Sequence, residues 1–426
     1  MRRKPLFVMV VVTLLVMLTG PLALSAPASL PDKYMNAARI MGDWLIENID
    51  PVLGSWASPW EPGRTDATSS FHGIRQVAIL SDITGDPVYR DAARRVADSW
   101  IDKAFISSLD EISDWNWALG DTVGKLEWTD EDFAKVQGGF ASGYWAEKDG
   151  HEWVRSPETP FCAGIVKPLL ALLEFGDEYD DVIKIMSGWF NTDRVNKRRY
   201  SDDELSFSAY MTSQSYSDDD GDGFADIDYI LWGTRRQSAG MNSRSISAFL
   251  ALGMKDEAIQ TAEWLINVMW DEEEGRFDAI YDFGAGTSLS LEESGDIGCV
   301  NASIASGLLT VYEATGDRKY LDYATAALDW VIEHETAFEI TPCGIRAYFT
   351  KPAVYGTHQV VAGLAHAYEV TGRTNYLVYA IAGADWLIDQ MEDPFAGFGN
   401  NPWSVIEVLQ AVEAVLSLDE VIGAQE

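Results

Sequence analysis

The chain reads TGRTNYLVYAIAGADWLIDQM over residues 371–391, and this stretch decides the fold because its pattern recurs along the sequence. A Thr-Gly turn is followed at helical spacing by Tyr376 and Trp386. The same order follows the turns at residues 84–86 and 315–317. Counting weaker copies, six tryptophans mark the units: Trp44, Trp100, Trp189, Trp264, Trp330 and Trp386. This recurrence predicts a helical repeat protein.

Each turn joins two helices of different character. Gly316 supplies the left-handed residue that ends one helix, and Asp317 caps the next. Residues 301–314, before the turn, are apolar or small on nearly every side, which is typical of a buried helix. Residues 318–334, after it, carry charge on one face, which is typical of an outer layer. We therefore predict six outer and six inner helices, the inner ones beginning near Ser69, Phe161, Ser238, Cys299, Thr357 and Trp403.

Helical hairpins of this kind bury their apolar faces only by stacking on neighbours, and six of them can close into a ring. No linker interrupts the repeats. We therefore predict an all-α fold, a single toroidal domain over residues 29–426, with rim insertions near residues 104–160 and 192–237. Pro168 lies inside an inner segment and should kink or shorten that helix.

Residues 1–28 have the features of a secretory signal peptide. Three basic residues precede an apolar run, and small residues follow at positions 26–28. The run is short for a membrane span, although an uncleaved anchor is the alternative. We expect a secreted or cell-surface protein with no membrane span in its mature form.

The composition is acidic, with a formal net charge of −36, and 47% of the residues are hydrophobic. This combination indicates a folded protein, and the excess of acid argues against nucleic acid and anionic membranes as partners. It fits either a salt-rich or a calcium-rich environment. The three cysteines allow one disulfide at most, and no Cys or His spacing predicts a zinc site.

The added length between repeats falls in the connections from outer to inner helices, which places all the long loops on one rim. A repeat protein that elaborates one rim usually binds its ligand there. The loops are rich in aromatic residues, whose flat faces pack against sugar rings, although some of them must form the cores of the loops. The candidates for substrate contact are Trp60, Trp145, Trp232 and Trp403.

Basic residues are scarce and gather at the same rim: Arg64, His72, Arg155, Arg235, Arg236, Arg244, Arg346, Lys351 and His358. Above six helix N-termini they would form a positive funnel suited to a carboxylate-bearing sugar. Arg64, Arg235 and Arg346 are the candidates for binding that carboxylate. The alternative is that these arginines pair with rim acids as structural bridges. His72 and His358 lie about one turn into inner helices, so they should face the same funnel as neutral imidazoles.

Residues 218–228 read DDDGDGFADID, which places carboxylates at positions 1, 3, 5 and 9 of an EF-type calcium loop. A glycine stands at position 6, and a backbone carbonyl is available at position 7. The predicted structural Ca²⁺ ligands are Asp218, Asp220, Asp222, the Phe224 carbonyl and Asp226, with Asp228 replacing the usual glutamate. A solvated acidic turn is the alternative. The stretch resembles the calcium loops of dockerins and thrombospondin-type repeats.

The whole mature chain resembles the (α/α)6 toroids of six-hairpin glycosidases and related uronate-processing enzymes. A narrower resemblance joins Arg346-x-Tyr348 and Tyr355-x-x-His358 to the C-terminal region of D-glucuronyl C5-epimerases. In those enzymes tyrosines serve as acid and base. The resemblances imply a carbohydrate substrate, a polysaccharide or oligosaccharide that carries uronate, and they identify the class of substrate better than the reaction.

Three classes of function remain open. A glycoside hydrolase needs two carboxyl groups across a cleft, and the available rim acids are Glu61, Asp66, Asp282 and Asp296. A uronate lyase or C5-epimerase would abstract a proton with a tyrosine or histidine while an arginine neutralises the sugar carboxylate; the candidates are Tyr348, Tyr355, His358, His72 and Arg346. A non-catalytic glycan-binding or cell-surface protein would use the same aromatic residues alone. The balance favours an enzyme.

Overall fold

The computed structural model describes residues 32–58, 63–119, 122–125, 128–130, 133–134, 137–141, 143–148, 151–155, 165–190, 197–201, 204–207, 213–217, 226–230, 236–282, 287–289, 297–341, 344–349, 353–391, 401–418 and 422. The predicted signal peptide, residues 1–28, lies outside this range. Among the described helices, none is both long and apolar enough to cross a membrane.

Twelve principal helices run through the described chain in alternating layers. In chain order they are α1 (Asp32–Glu47), α2 (Ala67–Thr84), α3 (Pro87–Ala104), α4 (Lys167–Leu173), α5 (Asp180–Phe190), α6 (Ala239–Ala251), α7 (Lys255–Trp264), α8 (Ile297–Thr315), α9 (Arg318–His334), α10 (Val354–Thr371), α11 (Thr374–Met391) and α12 (Pro402–Leu416). Short helical segments lie at Leu109–Ser113, Gly176–Tyr179 and Leu265–Met269. The odd-numbered helices are the outer layer and the even-numbered helices the inner layer. Each predicted marker tryptophan lies at the expected place on an outer helix or, for Trp264, at the end of α7.

The inner helices form a closed ring. Each contacts the next along the chain, and α12 returns to pack against both α1 and α2. Small and apolar residues dominate these helices, and most of their side chains are buried. The expected toroid of six helical hairpins is therefore confirmed.

The Thr-Gly turns have the predicted geometry. Gly85, Gly316 and Gly372 adopt φ values of 69°, 73° and 66°, the left-handed region that glycine enters at low cost. Asp86 and Asp317 then accept hydrogen bonds from backbone N–H groups of the following helices. Each turn thus reverses the chain within a few residues, so an inner and an outer helix pack side by side.

A repeated hydrogen bond joins neighbouring outer helices. In five of the six repeats, the tyrosine ten or eleven residues before the marker tryptophan donates to a carboxylate just before the tryptophan of the preceding outer helix. The five pairs are Tyr89 with Asp43 at 2.8 Å, Tyr179 with Asp98 at 2.8 Å, Tyr320 with Glu263 at 2.5 Å, Tyr376 with Asp329 at 2.9 Å and Tyr34 with Asp385 at 2.6 Å. In the sixth repeat, Met254 occupies the tyrosine position, and Gly188 occupies the carboxylate position on α5. The tyrosine and the acid of the repeat pattern therefore also join neighbouring repeats by a hydrogen bond.

The long connections fold into short β-structure, which an all-α prediction did not include. The strands are β1 (Trp117–Leu119), β2 (Thr122–Gly124), β3 (Tyr144–Lys148), β4 (His151–Arg155), β5 (Lys197–Ser201), β6 (Glu204–Phe207), β7 (Ser213–Ser217), β8 (Asp226–Ile230), β9 (Arg236–Ser238), β10 (Trp270–Asp271), β11 (Arg276–Phe277), β12 (Ile280–Asp282), β13 (Thr287–Leu289), β14 (Thr336–Thr341) and β15 (Gly344–Phe349). They form one four-stranded sheet of order β2-β1-β4-β3, one three-stranded sheet of order β13-β12-β9, and four two-stranded sheets. All lie between an outer helix and the next inner helix, so they decorate the predicted rim.

Pro168 lies in the first turn of α4, which runs from Lys167 to Leu173. Residues 165 and 166, directly before α4, are in π-helical conformation. The proline therefore lies where the helix changes type, a distortion of the kind that a proline in an inner helix causes. The predicted start near Phe161 lies outside the described residues.

Candidate active site

A cavity of about 260 Å³ lies inside the ring, and all six inner helices contribute to its wall. One chemically important side chain comes from each helix: His72, Lys167, Arg244, Ser306, His358 and Glu407. Two glycines in the wall mark close contacts between neighbouring inner helices. A Cβ atom at Gly363 of α10 would lie 3.0 Å from the Ala302 carbonyl oxygen of α8, and one at Gly307 of α8 would lie 2.9 Å from the Ser243 carbonyl oxygen of α6.

His358 presents a nitrogen lone pair in the cavity. Its Nδ1 lies 3.1 Å from the Val354 carbonyl oxygen, which can only accept, so Nδ1 carries the proton. The other ring nitrogen, Nε2, is buried and has no hydrogen-bond partner within the described residues. Burial, with a further contribution from the charges of Arg244 and Lys167, lowers the pKa of His358 to about 3. In the empty cavity this imidazole is neutral at physiological pH.

His72 is the second neutral imidazole. Its ring centre lies 6.2 Å from that of His358. Its Nε2 donates to the Gln410 Oε1 atom at 2.8 Å, which leaves Nδ1 as an acceptor that is buried without a partner in the described part of the chain. Burial and then the charge of Lys167 lower the pKa of His72 well below its usual range. The two histidines line the same cavity, as predicted. Their neutral state was expected to result from the helix N-termini, but burial is its main cause.

Glu407 is a buried acid that the sequence analysis missed. Only 1% of the residue is exposed, and its Oε2 lies 3.9 Å from His358 Nδ1. Burial raises the pKa of Glu407 to about 8, against the opposing effects of a hydrogen bond from Trp403 and the charges of Lys167 and Arg244. The carboxyl group is therefore mostly protonated at neutral pH. An acid on the apolar helix α12 is the sequence signal that could have identified it.

Two cations face these groups. Lys167, in the first turn of α4, lies with its Nζ 5.2 Å from the Trp403 ring centre. Arg244, on α6, lines the same cavity. Arg244 was among the basic residues assigned to the rim, whereas Lys167 was not recognised. With Glu407 protonated and both histidines neutral, the net charge of this group of side chains is positive, within a chain whose formal charge is −36.

Two further predicted residues lie at the cavity. Tyr355 is 39% exposed, and its ring centre lies 6.0 Å from that of His358. Trp403 lies edge-on to His72 at 6.3 Å. Both line the cavity wall. Trp403 was expected as an aromatic contact surface for the sugar, and Tyr355 as a group that can transfer a proton.

Arg346 does not line the cavity, so its prediction as a ligand of the sugar carboxylate is wrong. Its guanidinium is buried and pairs with Asp385 at 3.1 Å and with Asp389 at 2.5 Å, both on the outer helix α11. Tyr348 also faces α11, where it packs against Trp386 at 5.6 Å. Both residues lie on β15 outside the cavity wall, whereas Tyr355 and His358, the other half of the narrower resemblance, line it.

Three other predicted residues have structural contacts away from the cavity. Asp66 caps α2 by accepting the Ser69 N–H at 3.1 Å. Arg64 is buried with its guanidinium 5.6 Å from the Trp145 ring centre, and the two residues form an isolated β-bridge. These contacts show that the three residues stabilise the rim loops. This structural role is the alternative that the sequence left open for the arginines and aromatic residues.

The remaining predicted residues cannot be placed in the site. Trp60, Glu61, Trp232, Arg235 and Asp296 lie outside the described residues. For Asp282 only the backbone, on β12 opposite Arg236, is described. Of the predicted calcium ligands, Asp218, Asp220, Asp222 and Phe224 are outside the described residues, and Asp226 and Asp228 are described only by the backbone of β8. Asp226, position 9 of the predicted calcium loop, pairs with Ser217, which directly precedes that loop.

Residues 283–397 match a family model described as Glycosyl Hydrolase Family 88, which covers less than half of the chain. No curated protein sequence matches the chain. Among solved structures, a glycoside hydrolase family 76 mannosidase from Bacteroides thetaiotaomicron is similar at a TM-score of 0.61 and 10% identity, over 91% of this chain and 99% of that one. A D-mannose isomerase is similar at a TM-score of 0.58 and 13% identity, over 91% of this chain and 100% of that one.

An inactive variant of an α-1,6-mannanase from Salegentibacter sp., solved in complex with α-1,6-mannotetrose, is similar at a TM-score of 0.52 and 13% identity. The similarity covers 90% of this chain and 99% of that one. At these identities the similarity establishes the fold. The chain therefore has an (α/α)6 toroid fold, as the sequence resemblance implied.

Proposed function

We propose that the protein is a carbohydrate-active enzyme that binds a uronate-bearing glycan in the axial cavity and acts on it by proton transfer at His358 and His72. The observation that carries this proposal is the combination of two neutral imidazoles and two cations in one cavity. The matching family model and the similar mannosidase, mannanase and isomerase structures, all of enzymes that act on sugars, support a carbohydrate substrate.

The charge distribution favours an anionic sugar. Lys167 and Arg244 line the cavity, and the neighbouring acid Glu407 is mostly neutral because its pKa is raised to about 8. The inner-helix N-termini face this end of the ring and add partial positive charge. A sugar carboxylate placed beside the two cations, in a cavity partly shielded from solvent, would interact with them more strongly than in bulk water.

The same carboxylate would activate the imidazoles. A negative charge near His358 and His72 offsets the positive charges that help to lower their pKa values. Binding therefore raises the pKa of both histidines toward the range of a useful base. His358 Nε2 can then accept the C5 proton of the uronate, which its carboxylate acidifies. Loss of the C4 substituent completes an elimination, whereas return of a proton to the opposite face completes an epimerisation.

Glycoside hydrolysis is the second candidate, and two observations favour it. The family model that matches residues 283–397 is that of a hydrolase family, and the raised pKa of Glu407 suits a general acid. A hydrolase normally needs a second carboxyl group, and Glu407 is the one acid that lines the cavity within the described residues. Glu61, Asp282 and Asp296 remain candidates for the second.

Product chemistry separates these reactions. The purified chain is incubated with uronate-containing oligosaccharides and with neutral mannan in deuterated water. An elimination produces an unsaturated uronate that absorbs in the ultraviolet, hydrolysis produces reducing ends without that absorbance, and epimerisation introduces deuterium at C5. We expect turnover of acidic substrates that is lost in His358→Gln and kept in His334→Gln, a histidine outside the cavity. Turnover of mannan alone would overturn the acidic-substrate proposal, and binding without turnover of any glycan would favour a non-catalytic glycan-binding protein.

Calcium binding and secretion remain part of the proposal. Ser217, directly before the predicted calcium loop at residues 218–228, pairs with Asp226 within it, and this pairing supports the proposal that Ca²⁺ bound there would order the rim. The N-terminal sequence supports export. Expression with the native N-terminus, followed by mass determination of the protein in the culture medium, tests the predicted cleavage near residue 28.

A further inference from the structure

Ser306, His366 and Glu313 form a continuous hydrogen-bonded chain. Ser306 Oγ lies 3.1 Å from His366 Nδ1, and His366 Nε2 lies 3.0 Å from Glu313 Oε2. Ser306 and Glu313 are two turns apart on α8, and His366 lies on the neighbouring inner helix α10. The close approach of these helices at Gly363 allows the imidazole to reach both partners.

The hydrogen-bond pattern fixes the direction of proton transfer. The Glu313 carboxylate accepts, and the hydrogen bond from His366 lowers the pKa of Glu313. His366 Nε2 therefore carries the proton, and Nδ1 accepts from the Ser306 hydroxyl. A hydroxyl, an imidazole and a carboxylate in this order are the arrangement by which an adjacent base activates a serine nucleophile.

Ser306 is also accessible to a ligand. Although α8 is an inner helix, the residue is only partly buried because it faces the axial cavity. Ser306 and Ala362 of α10 both line the cavity, so a ligand in the cavity can reach the serine hydroxyl.

We propose that Ser306 is an activated nucleophile that removes ester-linked acyl groups from a sugar bound in the cavity. Ser306 Oγ attacks the ester carbonyl carbon while its proton passes to His366 Nδ1. The bond from that carbon to the sugar oxygen then breaks, and the sugar oxygen takes the proton from His366. Water repeats the sequence on the acyl-enzyme and releases the carboxylic acid. The choice of a sugar ester rests on the proposed function, whereas the reactivity of Ser306 does not.

A fluorophosphonate probe tests this reactivity without knowledge of the natural substrate. The probe phosphonylates activated serines with loss of fluoride, and peptide mass mapping locates the label. We expect one label, on Ser306, which is absent in Ser306→Ala. Labelling should slow by on the order of a hundredfold in both His366→Gln and Glu313→Gln, since each removes one step of the relay. Hydrolysis of 4-nitrophenyl acetate should fall in parallel.

Ser417 supplies a matched control. Its hydroxyl donates directly to Glu369 at 2.9 Å, without an intervening imidazole, so Ser417→Ala should leave the labelling unchanged. Circular dichroism confirms that each variant is folded, and Glu313, whose side chain is half exposed, gives a relay variant with little structural risk. Absence of a label on Ser306 in the folded protein, or labelling that is indifferent to His366→Gln and Glu313→Gln, would overturn the proposal. Glycan turnover would be unaffected by that result, so the two proposals fail separately.

Discussion

The Tyr34 hydroxyl donates a 2.6 Å hydrogen bond to Asp385 Oδ1, although the two residues are 351 positions apart. Tyr34 lies on the first outer helix and Asp385 on the last. The same carboxylate also pairs with Lys33 and, at 3.1 Å, with the buried guanidinium of Arg346. This cluster therefore closes the outer layer of the ring and uses the same tyrosine–carboxylate bond as the other repeats.

The first prediction is that Asp385→Ala weakens the contact between the first and last outer helices. Removing Asp385 from this buried, hydrogen-bonded charge cluster takes away one carboxylate partner of Arg346 and the acceptor of Tyr34, and should cost about 3 kcal/mol of unfolding free energy. Asp329→Ala is the matched control, because Asp329 accepts the equivalent bond from Tyr376 within the ring but has a side chain that is 45% exposed. That variant should lose about 1 kcal/mol. Urea unfolding measures both, and equal losses would contradict a special role for the closing pair.

The second prediction concerns the junction between α5 and α7, where Met254 and Gly188 replace the tyrosine and the carboxylate. We expect amide hydrogen exchange in α5 to be faster than in the other outer helices, because this junction lacks the repeated bond. The double substitution Met254→Tyr with Gly188→Asp should slow that exchange and add about 1 kcal/mol. A Cβ atom at Gly188 meets no atom within 4 Å, so the new side chain has room. Unchanged exchange in the double variant would show that the bond is not what stabilises the other junctions.

The third prediction is a pH dependence of stability caused by Glu407. Its folded-state pKa of about 8 lies above the ordinary value of 4.5, so the folded protein binds this proton more tightly. Stability is then fully present below pH 4.5 and is lost as the pH rises toward 8, by up to about 1.4 kcal/mol per pH unit. Glu407→Gln should remove this part of the slope. Glu413, a second buried acid with a raised pKa, remains in both proteins and cancels in the comparison. Parallel stability curves for the two proteins would contradict the assignment.

The fourth prediction is that an acidic ligand raises the pKa of His358 from its value of about 3 in the empty cavity. NMR titration of the imidazole should show this rise with a uronate oligosaccharide. The same oligosaccharide with its carboxyl groups reduced to alcohols should not cause it, because only the charge differs. Equal shifts with both ligands would show that the carboxylate does not contact the cations beside the histidine.

The fifth prediction concerns calcium. If residues 218–228 bind Ca²⁺, titration calorimetry should detect one site, and removal of the ion should lower the melting temperature. Asp222→Asn should weaken this binding, and Asp181→Asn, an exposed acid on α5, should not. The absence of calorimetric binding together with an unchanged melting temperature would contradict the calcium prediction.

The sequence predicted the fold well because its evidence is local and repeated. Marker tryptophans, left-handed glycines and, at two turns, capping aspartates recur along the chain, and together they determine where the helices begin, end and face. The acid just before five of the six marker tryptophans, such as Glu263 or Asp329, recurs as well and could have revealed the bond between repeats. The short strands were missed because each connection is different, so no repetition reinforces their pattern.

The site was predicted less completely because its residues depend on contacts between distant parts of the chain. Arg346 was misassigned because its partner Asp385 lies 39 residues away on a helix that the sequence alone does not place beside it. Lys167 and Glu407 were missed because only ring closure brings α4 and α12 to the same cavity. His72 and His358 were found because their position one turn into an inner helix is itself part of the repeat.

Calorimetric titration with the same pair of uronate and carboxyl-reduced oligosaccharides tests most directly whether the axial cavity binds an acidic sugar. We expect the native protein to bind the acidic form and to bind the reduced form at least about tenfold more weakly. The double variant Lys167→Met with Arg244→Met should lose this preference, whereas Arg373→Met, which removes an exposed cation on the outer surface, should retain it. Equal affinity for both ligands, or a preference that survives in the double variant, would contradict the account.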